Sequence, residues 1–399
     1  MFDVFAQPRK FTPPRKFVAR ALAALSILWL AACEPVGVSL PAVGQERSID
    51  TSRPVPVALL VPRSDEGAAS IARDLETAAR LAVDDLGDVA IDLRVYDTAG
   101  DAGTAASVAQ RAADEGAGII LGPLFGEAAN AAAVQVADDG LNVLSFSNNS
   151  SIAGGNLFVL GPTFENAADR LVAYAARQGR TRSVIVHPDT VEGQFGRNAI
   201  ESAAAAQGMR VVGTVPFPFS EEGAVDAASR AVEAVRSNDA DSIFLTSTSS
   251  GALPLLAQLL PEQGLDPSDT QYIGLARWDV PQQTLDLPGV QGGWFARPDE
   301  AMMESFRDRF ETAHGRRPHP LAGLAYDGIA AIGALVEQGN GATLTRGDLT
   351  QSSGFQGTGG AFRLLPDGTN QRALAVATVR DGQVEILDPA PRSFRGAGF

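Results

Sequence analysis

Lysine is almost missing from this chain. Its two copies, Lys10 and Lys16, stand near the start, and every later cation is an arginine. A phosphate loop that relies on lysine and any Schiff-base chemistry therefore have no amine to use in the body of the protein. Cysteine occurs once, at Cys33, so no internal disulfide forms and the fold has to stand on its core. The histidines are His187, His314 and His319, and the last has Pro318 and Pro320 at its sides, a poor arrangement for two metal ligands on one helix face. No Gly-x-Ser-x-Gly elbow occurs, and Gly116-x-Gly118 and Gly357-x-x-Gly360 lack the strand-to-helix setting of a dinucleotide fingerprint. Neither catalysis, a metal nor a cofactor is expected. Positive charge is scarce as well. The net charge is −15, and the most basic stretch is the leader (Arg9, Lys10, Arg15, Lys16, Arg20), so the remainder is more acidic still and no nucleic-acid partner is expected.

What is present suits a folded protein of two or three domains: 399 residues, 45% of them apolar. Ala21–Ala32 is an apolar run well short of the about 20 residues a helix needs to span a bilayer. Placed after the basic stretch, it reads as a secretory signal, residues 1–32. Leu30-Ala31-Ala32-Cys33 resembles a bacterial lipobox. That resemblance implies a lipid-bearing Cys33 and a partner in the lipid bilayer, on the periplasmic face of a bacterial membrane. Glu34 leaves inner and outer membrane both open. Residues 33–54, with Pro35, Gly37, Pro41, Gly44 and Pro54, read as a flexible tether.

From there strands and helices alternate. Strand patterns fall at Val57–Val61, Ile91–Tyr96, Gly118–Leu121 and Leu141–Phe146, with helical spacing over Ser70–Leu86, Thr104–Glu115 and Glu127–Ala137. The rhythm restarts with strands at Ser183–His187, Arg210–Val215, Asp241–Thr246 and Gln271–Gly274 and helices at Gln194–Gln207, Val225–Ser237 and Leu253–Gln263. Helical patterns return at Glu300–Ala313 and Leu321–Gln338, and the tail reads as strands and turns: Ala361–Leu365, Ala373–Arg380 and Gln383–Leu387. The rhythm predicts an α/β fold of two lobes, each a parallel sheet flanked by helices.

The strand Val57–Val61, the acidic-ended Leu93-Arg94-Val95-Tyr96-Asp97 and Ile119-Ile120-Leu121-Gly122-Pro123 resemble the first lobe of type I periplasmic binding proteins. Phe195-Gly196-Arg197-Asn198, Phe306–Phe310, Tyr326-Asp327-Gly328 and Gly357-x-x-Gly360-x-Phe362 with Pro366-Asp367-Gly368 are similar to later parts of that family. The resemblance implies three inter-lobe crossovers and a cleft at the strand ends. It divides the chain into a first lobe (55–162 plus 296–353) and a second (163–295 plus 354–399). Within the family the chain looks like branched-chain amino-acid binders overall. Those carry a serine after the third strand and a small residue pair after the fourth, where this chain has Gly126 and Asn148-Asn149. Gly122-Pro123-Leu124, Leu144-x-x-x-Asn148-Asn149, Asp241–Thr246 and Arg277-Trp278-Asp279 are similar to penicillin-binding-protein activators, lipoproteins that regulate peptidoglycan synthases. The expectation is thus a lipid-anchored regulator of a synthase, the alternative a solute receptor of an ABC importer for branched-chain amino acids or related solutes.

The cleft candidates follow from strand ends. Arg63 and Ser64 follow the first strand, where a guanidinium can grip a carboxylate or pair with a local acid such as Asp65. Gly122, Leu124 and Phe125 follow the third, Leu124 and Phe125 as an apolar floor. Ser147, Asn148 and Asn149 end the fourth and offer both donors and acceptors. Thr246 and Thr248, with Ser247 between them, end a second-lobe strand, and Arg277 and Trp278 end another. Asp97 reads as a helix cap. Trp278, Trp294 and Phe295 are the expected anchors of a partner-binding surface.

Overall fold

The computed structural model describes residues 49–50, 52–339 and 344–394; the leader, Cys33 and most of the tether lie outside them. The first run is β1 (Val55–Val61), α1 (Ala69–Asp85), β2 (Ile91–Asp97), α2 (Ala102–Asp114), β3 (Ile119–Leu121), α3 (Gly126–Gln135), β4 (Val143–Ser145) and β5 (Leu157–Val159). The second is α4 (Phe164–Arg177), β6 (Arg182–Pro188), α5 (Val191–Gln207), β7 (Arg210–Phe217), α6 (Glu221–Ser237), β8 (Ser242–Leu245), α7 (Leu253–Glu262), β9 (Gln271–Gly274) and β10 (Trp294–Arg297). Then come α8 (Glu300–His314), α9 (Ala322–Gln338), α10 (Arg346–Leu349), β11 (Phe355–Gly357), β12 (Gly360–Leu364), β13 (Asn370–Arg372), β14 (Ala375–Arg380) and β15 (Gln383–Asp388).

The first sheet is parallel, in the order β2-β1-β3-β4-β5. Strands covered on both faces read as continuous apolar runs, as Ile119-Ile120-Leu121 does, while β2 at the edge alternates. One face packs against α1 and α9, the other against α2 and α3. The second sheet runs β15-β14-β10-β9-β8-β6-β7. Its strands from β7 to β10 are parallel, and β14 and β15 extend it antiparallel. The helices α6 and α7 cover one face, α4 and α5 the other. The fold class is therefore the expected two-lobed α/β arrangement. A small antiparallel sheet, β11-β12-β13, completes it. Phe355, Phe362 and Leu364 of this sheet sit in the first-lobe core, although the reading above gives residue 354 onward to the second lobe.

Three passages join the lobes: after β5, after β10 and before β14. The first two leave from strand C-terminal ends, so in parallel sheets all those ends face the junction. The junction is stitched by side chains reaching backbone carbonyls. Asn370 Nδ2 donates to the carbonyls of Val159 (2.8 Å) and Gly161 (2.9 Å). Arg372 donates to Leu160 O through Nε (3.2 Å) and Nη2 (2.5 Å), and pairs with the buried Asp327 at 3.3 Å. On the second-lobe side Asn166 Nδ2 holds Asn370 O (2.9 Å), and Arg170 Nε holds Leu374 O (2.6 Å).

Neither β5 nor α4 is among the expected elements. The helix shows apolar residues at Ala168, Leu171, Val172 and Ala175, one face at helical spacing. Its capping box uses Asn166 where glutamate or glutamine is usual, which disguises its start. The strand β10 is also additional, and it corrects the expected surface. It is an interior strand between β9 and β14, and each of its faces packs into a core: Trp294 (8% exposed) meets the α4 side edge-on to Tyr174 at 4.9 Å, and Phe295 (0%) enters the opposite core.

Candidate functional site

The first-lobe half of the cleft is made by the loops after β1, β3 and β4. Gly122 has φ +94, and a Cβ there would stand 2.2 Å from Leu60 O, so only glycine lets the chain turn this close to β1. Pro123 O, just beyond, accepts from Ser145 Oγ and from the Phe146 amide, both at 3.0 Å, which ties the β3 and β4 ends together. Leu124 is core, whereas Phe125 remains 40% exposed with its ring beside Gly100. Ser147 is buried and its Oγ accepts the Asn149 amide at 3.1 Å. Asn149 in turn accepts from the Ser151 amide (3.0 Å), and Asn148 is exposed. The Ser147 hydroxyl lies 3.4 Å from where a Gly126 side chain would start. A hydroxyl therefore stands beside the position where the family's serine is expected, supplied from β4 instead of α3.

Two first-lobe expectations change. Arg63 is half-exposed and its partner is Glu76 of α1, at 3.6 Å, not Asp65, so its guanidinium is already engaged. Ser64 is exposed, and its amide donates to Asp97 Oδ1 at 3.3 Å. Asp97 is no helix cap, because Asp101 caps α2 through the Thr104 amide (2.7 Å). Burial opposes the charge of Asp97, yet the Ala99 amide and the bonds from Ser64 hold its carboxyl below the ordinary carboxylate range.

The second-lobe half is differently built. The ends of β6 and β8 and the start of α5 enclose a cavity of about 250 Å³, whose wall includes Phe164, Thr190, Glu192, Thr246, Ser247 and Thr248. Thr190 caps α5 by accepting the Gly193 amide at 3.1 Å. Thr246 is buried and Thr248 exposed, within 3.2 Å of Ser250 Oγ. Ser247 is 4% exposed and its Oγ has no hydrogen-bond partner. A buried hydroxyl without a partner is uncommon, and this oxygen is closed off from the cavity beside it.

Of the other second-lobe candidates, Arg277 forms a two-pronged pair with Asp279, Nε–Oδ1 at 2.8 Å and Nη2–Oδ2 at 2.7 Å. Burial opposes both charges, but the pairing prevails: it raises the Arg277 guanidinium and holds the Asp279 carboxyl below its usual range. Arg297 adds to Asp279 from 3.5 Å. Trp278 is wholly buried, which overturns its expected role as a ligand-stacking or partner-facing ring. Cβ atoms at Gly274 and Gly293 would stand 2.2 and 2.3 Å from its ring; these two glycines make the slot that the indole fills. Their spacing around Trp278 is the signal that could have marked it as core.

Sequence reasoning also passed over Thr190, Glu192 and Phe219. The first two belong to a recognisable helix start, Thr190-Val191-Glu192-Gly193, three residues ahead of the expected one. Among the described residues, no group of three or more histidine, cysteine, aspartate or glutamate side chains could hold a metal, and no helix is long and apolar enough to cross a membrane.

The model of the periplasmic binding protein family matches residues 54–383, and the chain belongs to that family. Its members bind solutes and are not enzymes. A putative branched-chain amino-acid ABC transporter protein from Rhodospirillum rubrum superposes with a TM-score of 0.71 at 21% identity, over 84% of this chain and 100% of that one. An ABC transporter substrate-binding protein from Desulfitobacterium hafniense in complex with Leu gives 0.59 at 20% identity, over 84% and 100%. A solute-binding protein from Rhodopseudomonas palustris BisB5 in complex with 3,4-dihydroxybenzoic acid gives 0.56 at 18%, over 85% and 98%. At these identities the likeness is one of fold. No curated protein matches the chain. The family match favours the solute-receptor alternative over the synthase regulator, whose likeness rests on sequence motifs alone.

Proposed function

We propose that this protein is an extracytoplasmic receptor for a small solute of the branched-chain amino-acid class or a related small acid, delivering it to an ABC importer. The observation that carries this reading is the cavity at the second-lobe strand ends, whose wall includes Thr190, Thr246 and Thr248. Open α/β sheets bind ligands at that place, and convergent polar groups in a concave site mark it. The Ser147 hydroxyl beside Gly126 supports the reading from the first lobe, because it offsets the serine that the sequence lacks there. Solved structures of the same fold carry leucine and dihydroxybenzoate. The expected synthase regulator loses support, since Trp278, Trp294 and Phe295 are interior. Lipid on Cys33 would hold the receptor at the membrane.

The test is a thermal-shift and calorimetric screen with leucine, isoleucine, valine and hydroxybenzoates. A ligand at a hundredfold excess over its Kd stabilises by about 2.7 kcal/mol, a shift of several degrees. No shift with any of them at millimolar concentration would overturn the reading. For the anchor, Cys33→Ser is expected to move the protein from the membrane to the soluble fraction; equal fractionation of both forms rejects it.

A further inference from the structure

The chain leaves the second lobe once more, after β15. Residues 389–394 run from the edge of the second sheet to the small sheet β11-β12-β13, whose Phe355, Phe362 and Leu364 sit in the first-lobe core. Both ends of this stretch are fastened. At the second-lobe end Asp388 pairs with Arg170 and Arg177 of α4, at 3.0 and 2.6 Å, and Arg170 Nη2 donates to Pro389 O at 3.3 Å. At the far end Gln356 Nε2 of β11 donates to Arg392 O at 3.0 Å. Phe394 is buried against Ala361 of β12 and against Ala373 in the passage to β14, and the Arg363 guanidinium stands 4.8 Å from the centre of its ring. Between the ends, Ala390, Pro391 and Arg392 stand over a cavity of about 370 Å³, whose wall also includes Asp299 and Met302 at the start of α8. The stretch therefore lies beside the second passage between the lobes and across the third.

We infer that this stretch is a strap, a further link between the lobes that is closed by packing and limits the angles they sample. Asp388 belongs to the second sheet, while the seat of Phe394 is built on strands that pack into the first-lobe core. Rotation about the second and third passages changes the separation of those two ends. A short stretch held at both ends has little length to give, and Pro389 and Pro391 each fix one of its backbone angles. Such a restraint removes conformational freedom from the ligand-free lobes in advance, so less is lost when they close. The seat is held by one aromatic ring, the cation over it and one bond to a carbonyl, and none of these residues belongs to the cavity wall at the second-lobe strand ends.

The experiment is pulsed electron-spin resonance on the ligand-free full chain in a Cys33→Ser background. One pair of spin labels, on Val134→Cys of α3 and Val225→Cys of α6, reports the separation of the lobes; a second pair, on Val191→Cys of α5 and Val225→Cys, lies within the second lobe. The expected result is a narrow inter-lobe distance distribution that loses its narrowness in Phe394→Ala, while the second pair stays unchanged. An inter-lobe distribution that Phe394→Ala leaves as narrow as before overturns the strap. A shift of its mean without widening also overturns it, since the strap would then set one angle and not a range. Widening of both pairs overturns it as well, because the substitution would be loosening the lobe itself. If circular dichroism shows that Phe394→Ala does not fold, Arg363→Met decides: it keeps the ring and removes the cation over it, so a smaller widening is expected, and none overturns the inference. No ligand enters the measurement, so its outcome is separate from the solute reading.

Discussion

The two faces of the cleft differ in one buried hydroxyl. On the first lobe, Ser145, Ser147, Asn149 and Asp97 all spend their hydrogen bonds within the protein, and Arg63 pairs with Glu76. On the second lobe, Ser247 is buried with its hydroxyl unmet, beside a cavity and an exposed phenylalanine. The open space at the strand C-terminal ends lies on the second lobe.

The largest change expected from breaking this comparison comes from what holds the second face in shape. Trp278→Ala removes a wholly buried indole from its glycine slot and should cost about 3–5 kcal/mol in denaturant unfolding; a loss under 1 kcal/mol would mean the face does not depend on it. Acid comes next. The Asp279 carboxyl is held below its usual range, so its stabilisation is fully present above the unfolded value of about 4 and is lost as pH falls through the lower folded value. Asp279→Asn should therefore flatten the acid limb of a stability profile below about pH 4, and an unchanged limb would deny the pair that role. The sharpest contrast uses the two serines. Ser147→Ala removes a partner of the Asn149 amide and should lower stability by about 1 kcal/mol. Ser247→Ala removes a hydroxyl that is not paired, so stability should stay within about 0.5 kcal/mol. Equal stability costs for both serines would erase the distinction between the lobes.

Much of the fold is legible in the sequence because a parallel sheet covered on both faces writes itself as short apolar runs. Gln271–Gly274 reads with its bounds intact, and β2 shows its edge position through alternation. The failures have physical causes. The helix α4 starts at a capping box with an unusual third residue, and β10 is only four residues long, so its Trp-Phe pair looks like surface bulk although the helices on the two faces of the sheet bury it. The candidate site is less legible. Strand ends point to Thr246 and Thr248, but whether a hydroxyl is already satisfied depends on partners that spacing does not name. Arg63 illustrates this: its partner comes from α1, on the far side of a turn.

The stitched junction has a mechanical consequence. Side chains of Asn370 and Arg372 are pinned to the carbonyls of Val159, Leu160 and Gly161, while Asn166 and Arg170 pin the returning strand from the other side. Any opening that keeps these bonds has to pivot about the seam, because sliding along it would break several at once. The lobes then meet in the same alignment on every closure, like the leaves of a book that cannot shear at its spine. A solute arriving in the gap loses little free energy to ordering the two halves, and more of its contact energy appears as affinity.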